Sequence, residues 1–280
     1  MAQAPSAVTV PGQQTLLPAA IRALEGRASF SARLSAQIEL FQQRLEGTGS
    51  YLEQHEGPIP LICMELQVGI GGQVTHLRQM CDGHFLWVHH KLLDDNTATL
   101  TQIDVRELVE RIQQADPGRR PQAMALLAGL GGLSKLLRNV DDSFEFTTVQ
   151  SGKLEQLPVW KLEGGWKRWR LLALLPKQKE AIEQGRPVNL SRLPEHVPDR
   201  IVLMIGQEDL FPRSIEYRRT LTEKERKGDG AEFRVLVAMQ LRDVAFNVPI
   251  DRAKFAYNPG QPPTTNLTDA YLQALGLKRD

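Results

Sequence analysis

The sequence has few cysteines, no long apolar run and no excess charge of either sign. A membrane-spanning helix needs about 18 apolar residues, and the longest candidate, residues 124–137, is interrupted by three glycines and a lysine. The 34 basic and 33 acidic residues give a net charge of +1. The charge of the whole molecule therefore favours neither nucleic acid nor an anionic membrane surface.

The spacings typical of many enzymes are also missing. There is no Cys-x-x-Cys or His-Glu-x-x-His spacing for a metal and no Gly-x-Ser-x-Gly elbow for a nucleophile. Histidines 84, 89 and 90 lie near Asp94 and Asp95 in the sequence, but on a strand His89 points away from His84 and His90. We expect no metal centre, no cofactor and no catalytic residue, and hence a protein that is not an enzyme.

The composition is that of a globular protein, with 41% hydrophobic and 24% charged residues. We expect one domain over residues 1–280, beginning with a flexible segment over residues 1–15. The first dozen residues lack the basic and apolar regions of an export signal. The Ala-Gln-Ala-Pro start suits a mature terminus that carries an added initiator methionine, and a native cytosolic start is the alternative.

Alternating apolar residues predict most of the strands. Residues 59–68 carry apolar side chains at even positions, and the glycines at 69, 71 and 72 predict a hairpin with residues 74–81. A glycine pair at 47 and 49 predicts a bulge or a sharp bend in a strand over residues 38–52. Further strands are predicted over residues 84–90, 97–103, 143–150, 157–162, 200–205, 214–221 and 233–246.

Helical periodicity appears at both ends of the chain and in two insertions. Residues 16–34 predict an entry helix, residues 267–277 a closing one, and residues 104–140 an insertion with Asp104 as its N-cap. A second insertion over residues 166–184 should break at Pro176. Because short turns join most strands, they should pair antiparallel, which gives an α+β fold, mainly antiparallel β, of about ten strands.

Four motifs occur in a distinctive order along the chain. A strand entry reads Asp82-Gly83-His84-Phe85-Leu86-Trp87, and a later strand reads Val159-Trp160-Lys161-Leu162. A hairpin follows at Leu210-Phe211-Pro212-Arg213-Ser214-Ile215-Glu216-Tyr217, and a closing segment at Lys254-Phe255-Ala256-Tyr257-Asn258-Pro259. This order resembles the LolA/LolB superfamily of outer-membrane lipoprotein carriers, and particularly its long LolA-like, lipoprotein-sorting members. The extra insertion over residues 166–184 departs from the family pattern.

The resemblance implies a curved half-barrel, or incomplete β-barrel, with helices packed into or over its concave face. It also implies a monomeric periplasmic carrier and chaperone in lipid transport, whose apolar cavity binds lipoprotein acyl chains or other lipid. An inner-membrane release complex and an outer-membrane acceptor would be its partners. Two alternatives are a periplasmic sensor of envelope lipoproteins resembling the RseB type and a structural interaction module without a ligand.

Apolar side chains on the predicted strands and on the Leu-rich helix are candidates for lining the cavity. The glycines within residues 124–137 favour a hinge, so this segment is a candidate lid; completing the core is the equal alternative for the segment. Each aromatic candidate also has an alternative role as ordinary core. The candidate ligand-binding residues are Phe41, Met64, Leu66, Phe85, Trp87, Leu126, Leu127, Leu130, Leu133, Phe146, Trp160 and Phe255.

Two further features stay open at the level of sequence. Cys63 and Cys81 fall on the two arms of the predicted hairpin, so a cross-strand disulfide is feasible in an exported protein, with two reduced buried thiols as the alternative. Residues 166–170 read Trp-Lys-Arg-Trp-Arg, a composition that suits a single-stranded nucleic-acid platform. In a nearly neutral protein we favour a solvated face, with contact to a membrane interface or an acidic partner as the alternative.

Overall fold

The computed structural model describes residues 12–40, 43–70, 73–92, 98–114, 131–223, 225–226, 232–257 and 264–277. Six α-helices and twelve strands lie in these ranges. The strands are β1 (Ser29–Leu40), β2 (Gln43–Gln54), β3 (Leu61–Ile70), β4 (Gln73–Cys81), β5 (Phe85–Leu92), β6 (Ala98–Asp104), β7 (Phe144–Leu154), β8 (Leu157–Trp166), β9 (Arg200–Gly206), β10 (Pro212–Thr220), β11 (Phe233–Phe246) and β12 (Thr264–Asn266). The helices are α1 (Leu16–Glu25), α2 (Val105–Gln114), α3 (Gly132–Ser143), α4 (Arg168–Leu174), α5 (Lys179–Glu183) and α6 (Thr268–Ala274).

All twelve strands form one open sheet, in the order β12-β6-β5-β4-β3-β2-β1-β11-β10-β9-β8-β7. Every pairing is antiparallel except the short one between β12 and β6. The sheet ends at β12 on one side and at β7 on the other, so it does not close into a barrel. The predicted α+β class and the curved half-barrel are confirmed, with twelve strands instead of about ten.

Side chains alternate between the two faces of the sheet because the strand period is two. We call the face that carries Phe30, Leu34 and Ile38 the inner face, and the opposite one the outer face. Helices α1, α2, α3 and α6 pack on the inner face, where their buried side chains share one core with the sheet. Phe30 is fully buried in this core, between the rings of Tyr51 and Phe211.

The sequences of the inner-face helices explain where they begin and which side they bury. In α1 the buried residues recur at helical spacing from Leu16 to Leu24, which gives the helix one apolar side. The predicted N-cap of α2 is confirmed, because the Asp104 carboxylate accepts a hydrogen bond from the backbone N–H of Glu107 at 2.7 Å. Among the described helices, none is long and apolar enough to cross a membrane.

The N-terminal part of the sheet differs from the prediction. The expected helix over residues 16–34 ends at Glu25, and the expected single strand over residues 38–52 belongs to a hairpin of two strands. The reason is an alternation of apolar residues from Phe30 to Ile38. Alanine and leucine in this stretch are good helix formers, so the composition obscured the strand period.

Other departures occur where a boundary depends on distant pairing. Strand β8 continues to Trp166, so the second insertion begins later than predicted. The insertion contains two helices separated by a turn that starts at Pro176, the position of the predicted break. The three-residue strand β12 was not predicted. Its pairing partner β6 lies more than 150 residues earlier in the chain.

Gly47 and Gly49 do not form the predicted bulge but pair regularly within β2. A Cβ atom on Gly49 would lie 1.8 Å from the carbonyl oxygen of Glu65 on β3. Glycine at position 49 therefore permits a close approach of the backbones of β2 and β3.

We expect Gly49→Ala to lower the free energy of unfolding by about 2 kcal/mol, because β2 must move away from β3 to admit the methyl group. Urea denaturation measures the change. Gly152→Ala is the control, since nothing lies within 4 Å of a Cβ at that position of β7. Equal stability of the two variants would contradict the close approach.

Candidate functional site

The inner face carries two continuous rows of apolar residues, each running across at least seven strands. Each member is the direct cross-strand neighbour of the next one. The first row is Val68, Gly47, Ala36, Met239, Ile215, Leu203, Leu162 and Val149. The second row is Leu45, Ile38, Val237, Tyr217, Ile201, Gly164 and Phe146.

Coverage of these rows changes along the sheet. On β8, β9 and β10 the side chains of Leu162, Leu203 and Ile215 are buried. On β1, β2, β3 and β11 Gly47 is buried, the other members are half-buried or exposed, and Val237 is 38% exposed. We call this set the open strip; its residues are Ala36, Ile38, Leu45, Val68, Val237 and Met239.

The open strip has the size and chemistry of a site for an apolar chain. Four neighbouring strands span about 14 Å at the usual strand spacing. Ala36, the smallest residue of the strip, pairs with Gly47 on β2, so no large side chain stands at this point of the surface. A surface without directional polar groups selects by apolar contact alone.

A groove of about 600 Å³ lies at the β7 edge of the sheet, between the start of α1 and α4. Phe144, Phe146, Trp169 and Leu172 contribute its apolar lining, and cationic side chains from residues 167 and 168 lie at the same groove. Phe146 also ends the second apolar row. The groove therefore lies next to the inner face.

The helix-covered part of the inner face contains a buried carboxylate that is not among the residues predicted from the sequence. Glu53 is 0% exposed, and its side chain accepts hydrogen bonds from the hydroxyl of Tyr51 at 2.6 Å and the backbone N–H of Leu133 at 2.9 Å. Nε2 of His55 lies 2.7 Å from the same carboxylate. Glu53 thereby caps the N-terminus of α3, where a negative charge is favourable.

These contacts shift the pKa values of the two partners. The hydrogen bond to Glu53 raises the pKa of His55, although burial opposes the change. Burial raises the pKa of Tyr51 well above its ordinary value, and the charge of Glu53 raises it further. Gly132 has a φ of +75°, and a Cβ there would lie 2.7 Å from the carboxylate, so the approach of α3 to Glu53 requires glycine.

Five candidate ligand-binding residues lie in or against the inner-face core. Leu66, Leu133, Phe146 and Trp160 are buried there, and Met64 is half-buried against the same core. Leu133 belongs to α3, and the other four residues lie on strands of the sheet. Their burial among other side chains also agrees with the alternative that they are ordinary core.

Three other candidates, Phe85, Trp87 and Phe255, lie on the outer face, away from the helix-covered core. Trp87 pairs with Met80 across β4 and β5, and it packs beside Phe255 and Tyr257 in a second, smaller cluster. Phe85 shares the parity of Trp87 and contacts its ring. The physical reason is that the chain after β11 folds back over the outer face and buries Phe255 completely.

The remaining candidates, Phe41, Leu126, Leu127 and Leu130, lie outside the described residues. The hypothesis of a lid over residues 124–137 therefore stays a prediction, although α2 and α3, which precede and follow residues 115–130, both pack on the inner face.

Within the described ranges, no group of three histidine, cysteine, aspartate or glutamate side chains is arranged to hold a metal ion.

The disulfide between Cys63 and Cys81 is not formed, since both thiols are free and buried. Cys63 pairs with Met80 and Cys81 with Ile62, so the two cysteines are one residue out of register and point to opposite faces. Burial raises the pKa of the Cys81 thiol to about 11. The alternative of two reduced buried thiols is the one that the structure supports.

No protein-family model matches the chain, and no curated protein matches it. The solved structures that match include the lipoprotein LppX of Mycobacterium tuberculosis, with 11% identity, 85% of this chain and 97% of that chain covered, and a TM-score of 0.40. A LolA superfamily protein of Nitrosomonas europaea matches with 11% identity, coverage of 90% and 99%, and a TM-score of 0.25. The MucA/MucB complex of Pseudomonas aeruginosa matches with 12% identity, coverage of 88% and 61%, and a TM-score of 0.33.

The superfamily that the sequence motifs resemble is thus also found among similar solved structures. Similarity at this level leaves the function to be argued from the residues of this chain.

Proposed function

We propose that the protein is a carrier that holds acyl chains of lipoproteins or other lipids on the open strip and moves them through the periplasm towards the outer membrane. The observation that carries the proposal is the open strip itself, a continuous apolar surface that the described helices leave half-covered. The proposal assigns no catalytic residue. Protein partners would supply and accept the cargo.

Apolar contact provides enough free energy for holding. Each buried methylene contributes roughly 0.8 kcal/mol, so ten methylenes contribute about 8 kcal/mol before ordering costs are subtracted. Such binding is independent of headgroup chemistry. A carrier of this kind would accept several acyl-bearing molecules.

The test is the affinity of the full chain for a fluorescent fatty acid. We expect Val237→Glu to weaken binding at least about tenfold, because a carboxylate in contact with the acyl chain would lose part of its hydration. Val237 is 38% exposed, so the fold should tolerate the change.

Gln240→Glu is the matched control. Gln240 lies on the same strand and pairs with Ser35 on the outer face, and its variant should bind the probe like the original chain. Equal weakening by both variants, or no binding by the original chain, would rule out the open strip. Native mass spectrometry of freshly purified protein should also detect co-purified acyl species.

A further inference from the structure

The insertion between β8 and β9 concentrates positive charge. Residues 167–198 contain seven basic and three acidic side chains, whereas the whole chain carries a net charge of only +1. The rest of the chain is therefore net negative, at −3. Within residues 167–179 there are five basic residues and no acidic one.

Helix α4 in this insertion exposes apolar side chains that the fold does not use. The helix buries none of its residues, and Trp169 is 46% exposed. Ala173 and Pro176 follow on the exposed side. An exposed large aromatic residue beside further exposed apolar groups indicates a contact surface.

Basic side chains flank this apolar surface. Arg168 and Lys177 are exposed, and the guanidinium of Arg170 lies 4.3 Å from the centre of the Trp169 ring. No ion pair between described residues involves any of these three cations. Their charge is thus available to an external partner.

The insertion is held from its other side. Leu175, Ile182 and Leu193 form a small buried core of their own. The guanidinium of Arg219 on β10 donates hydrogen bonds to four backbone carbonyls between residues 191 and 197. The insertion that carries α4 is therefore packed around its own core and hydrogen-bonded to the sheet, which fixes the position of the exposed side of α4.

We infer that the exposed side of α4 docks on the surface of an anionic lipid bilayer, with Trp169 at the interface and Arg168, Arg170 and Lys177 among the phosphate headgroups. Tryptophan favours the membrane interface because its ring is apolar and its N–H is polar. Each cation close to an anionic surface strengthens binding about fivefold. The stacked pair of Trp169 and Arg170 presents both chemistries together.

This surface lies beside the groove at the β7 edge, since Trp169 and Leu172 contribute to that groove. Docking of α4 would therefore place this groove, which Phe146 lines, against the bilayer. The inference does not require the open strip to bind acyl chains. The two ideas can fail separately.

Flotation of the full chain with lipid vesicles tests the inference. The original chain should bind vesicles of phosphatidylcholine mixed with phosphatidylglycerol, and bind vesicles of phosphatidylcholine alone much more weakly. The triple variant Arg168→Gln, Arg170→Gln, Lys177→Gln should lose about a hundredfold in binding to the anionic vesicles. Trp169→Phe should remove the blue shift of tryptophan fluorescence that accompanies binding.

The control removes three exposed cations elsewhere, in the triple variant Arg33→Gln, Arg44→Gln, Arg252→Gln, whose side chains are 81%, 63% and 76% exposed. It should bind anionic vesicles within about fivefold of the original chain. Equal loss in both triple variants would overturn the inference. Binding to polyglutamate without binding to anionic vesicles would also overturn it, in favour of an acidic protein partner. Fatty-acid affinity, measured in parallel, should be unchanged in both triple variants.

Discussion

Replacing Glu53 by alanine should lower the free energy of unfolding by about 4 kcal/mol, the largest effect that we expect from a single substitution. The buried carboxylate binds Tyr51, His55 and the backbone N–H of Leu133. Its removal leaves these groups without their partner in a site where water does not replace it. Urea denaturation followed by circular dichroism measures the change.

The same substitution should change how stability depends on pH. The pKa of His55 is raised in the folded state, so its contribution is fully present below the unfolded value of 6.5 and is lost as pH rises through the higher folded value. The original chain should therefore lose this stabilisation as pH rises above 6.5 and through the raised pKa of folded His55. Glu53→Ala should show no such loss.

Glu65→Ala is a suitable control, since Glu65 is a half-exposed carboxylate paired with Arg78 on the outer face. Its removal should cost no more than about 1 kcal/mol. If Glu53→Ala and Glu65→Ala unfold at the same urea concentration, then Glu53 does not hold α3 against the sheet.

Replacing Arg219 by methionine should produce the second largest effect, a loss of about 3 kcal/mol that is concentrated in the insertion. Arg219 is 9% exposed, and its guanidinium donates to the carbonyls of Ser191, Leu193, Pro194 and Val197 at 2.8 to 3.3 Å. Methionine preserves the apolar stem but cannot satisfy these carbonyls. Amide hydrogen exchange should accelerate in residues 189–198 and remain slow in β9.

Arg218→Met is the matched control for this effect. Arg218 is the preceding residue on β10, and its guanidinium pairs with Glu216 within the same strand. Its replacement should leave exchange in residues 189–198 unchanged. Uniform acceleration across the sheet in Arg219→Met would show that the insertion and the sheet unfold together, contrary to this expectation.

Much of the sheet could be predicted because its signals are local. The alternation from Ile62 to Val68 gave β3 directly, and the glycines that follow gave the hairpin to β4. Asp104 was recognised as an N-cap from the apolar periodicity behind it. The closing strands β9, β10 and β11 also agree with the prediction to within a few residues.

The candidate site was harder to predict because it depends on which face a residue occupies. Trp87 is an aromatic residue of the expected kind, yet on a strand a register difference of one residue decides between the inner and outer faces. Sequence also does not show that the segment after β11 folds back over the sheet. That segment carries Phe255 and Tyr257, which pack beside Trp87.

A usable signal for the buried carboxylate did exist. Tyr51, Glu53 and His55 follow one another at period two, which places three polar groups on one side of a strand. On a face that is otherwise apolar, such a series indicates a hydrogen-bonded cluster. Only the position of Leu133, which is 80 residues away in the chain, required the structure.

The segregation of charge also affects the approach of the molecule to other surfaces. A basic insertion on an otherwise net acidic chain gives the protein an electric dipole. The field of a negatively charged surface exerts a torque on this dipole that turns the insertion towards the surface, over a range of about 8 to 10 Å at physiological salt. The protein is thus oriented before the first contact, and fewer encounters are spent in unproductive arrangements.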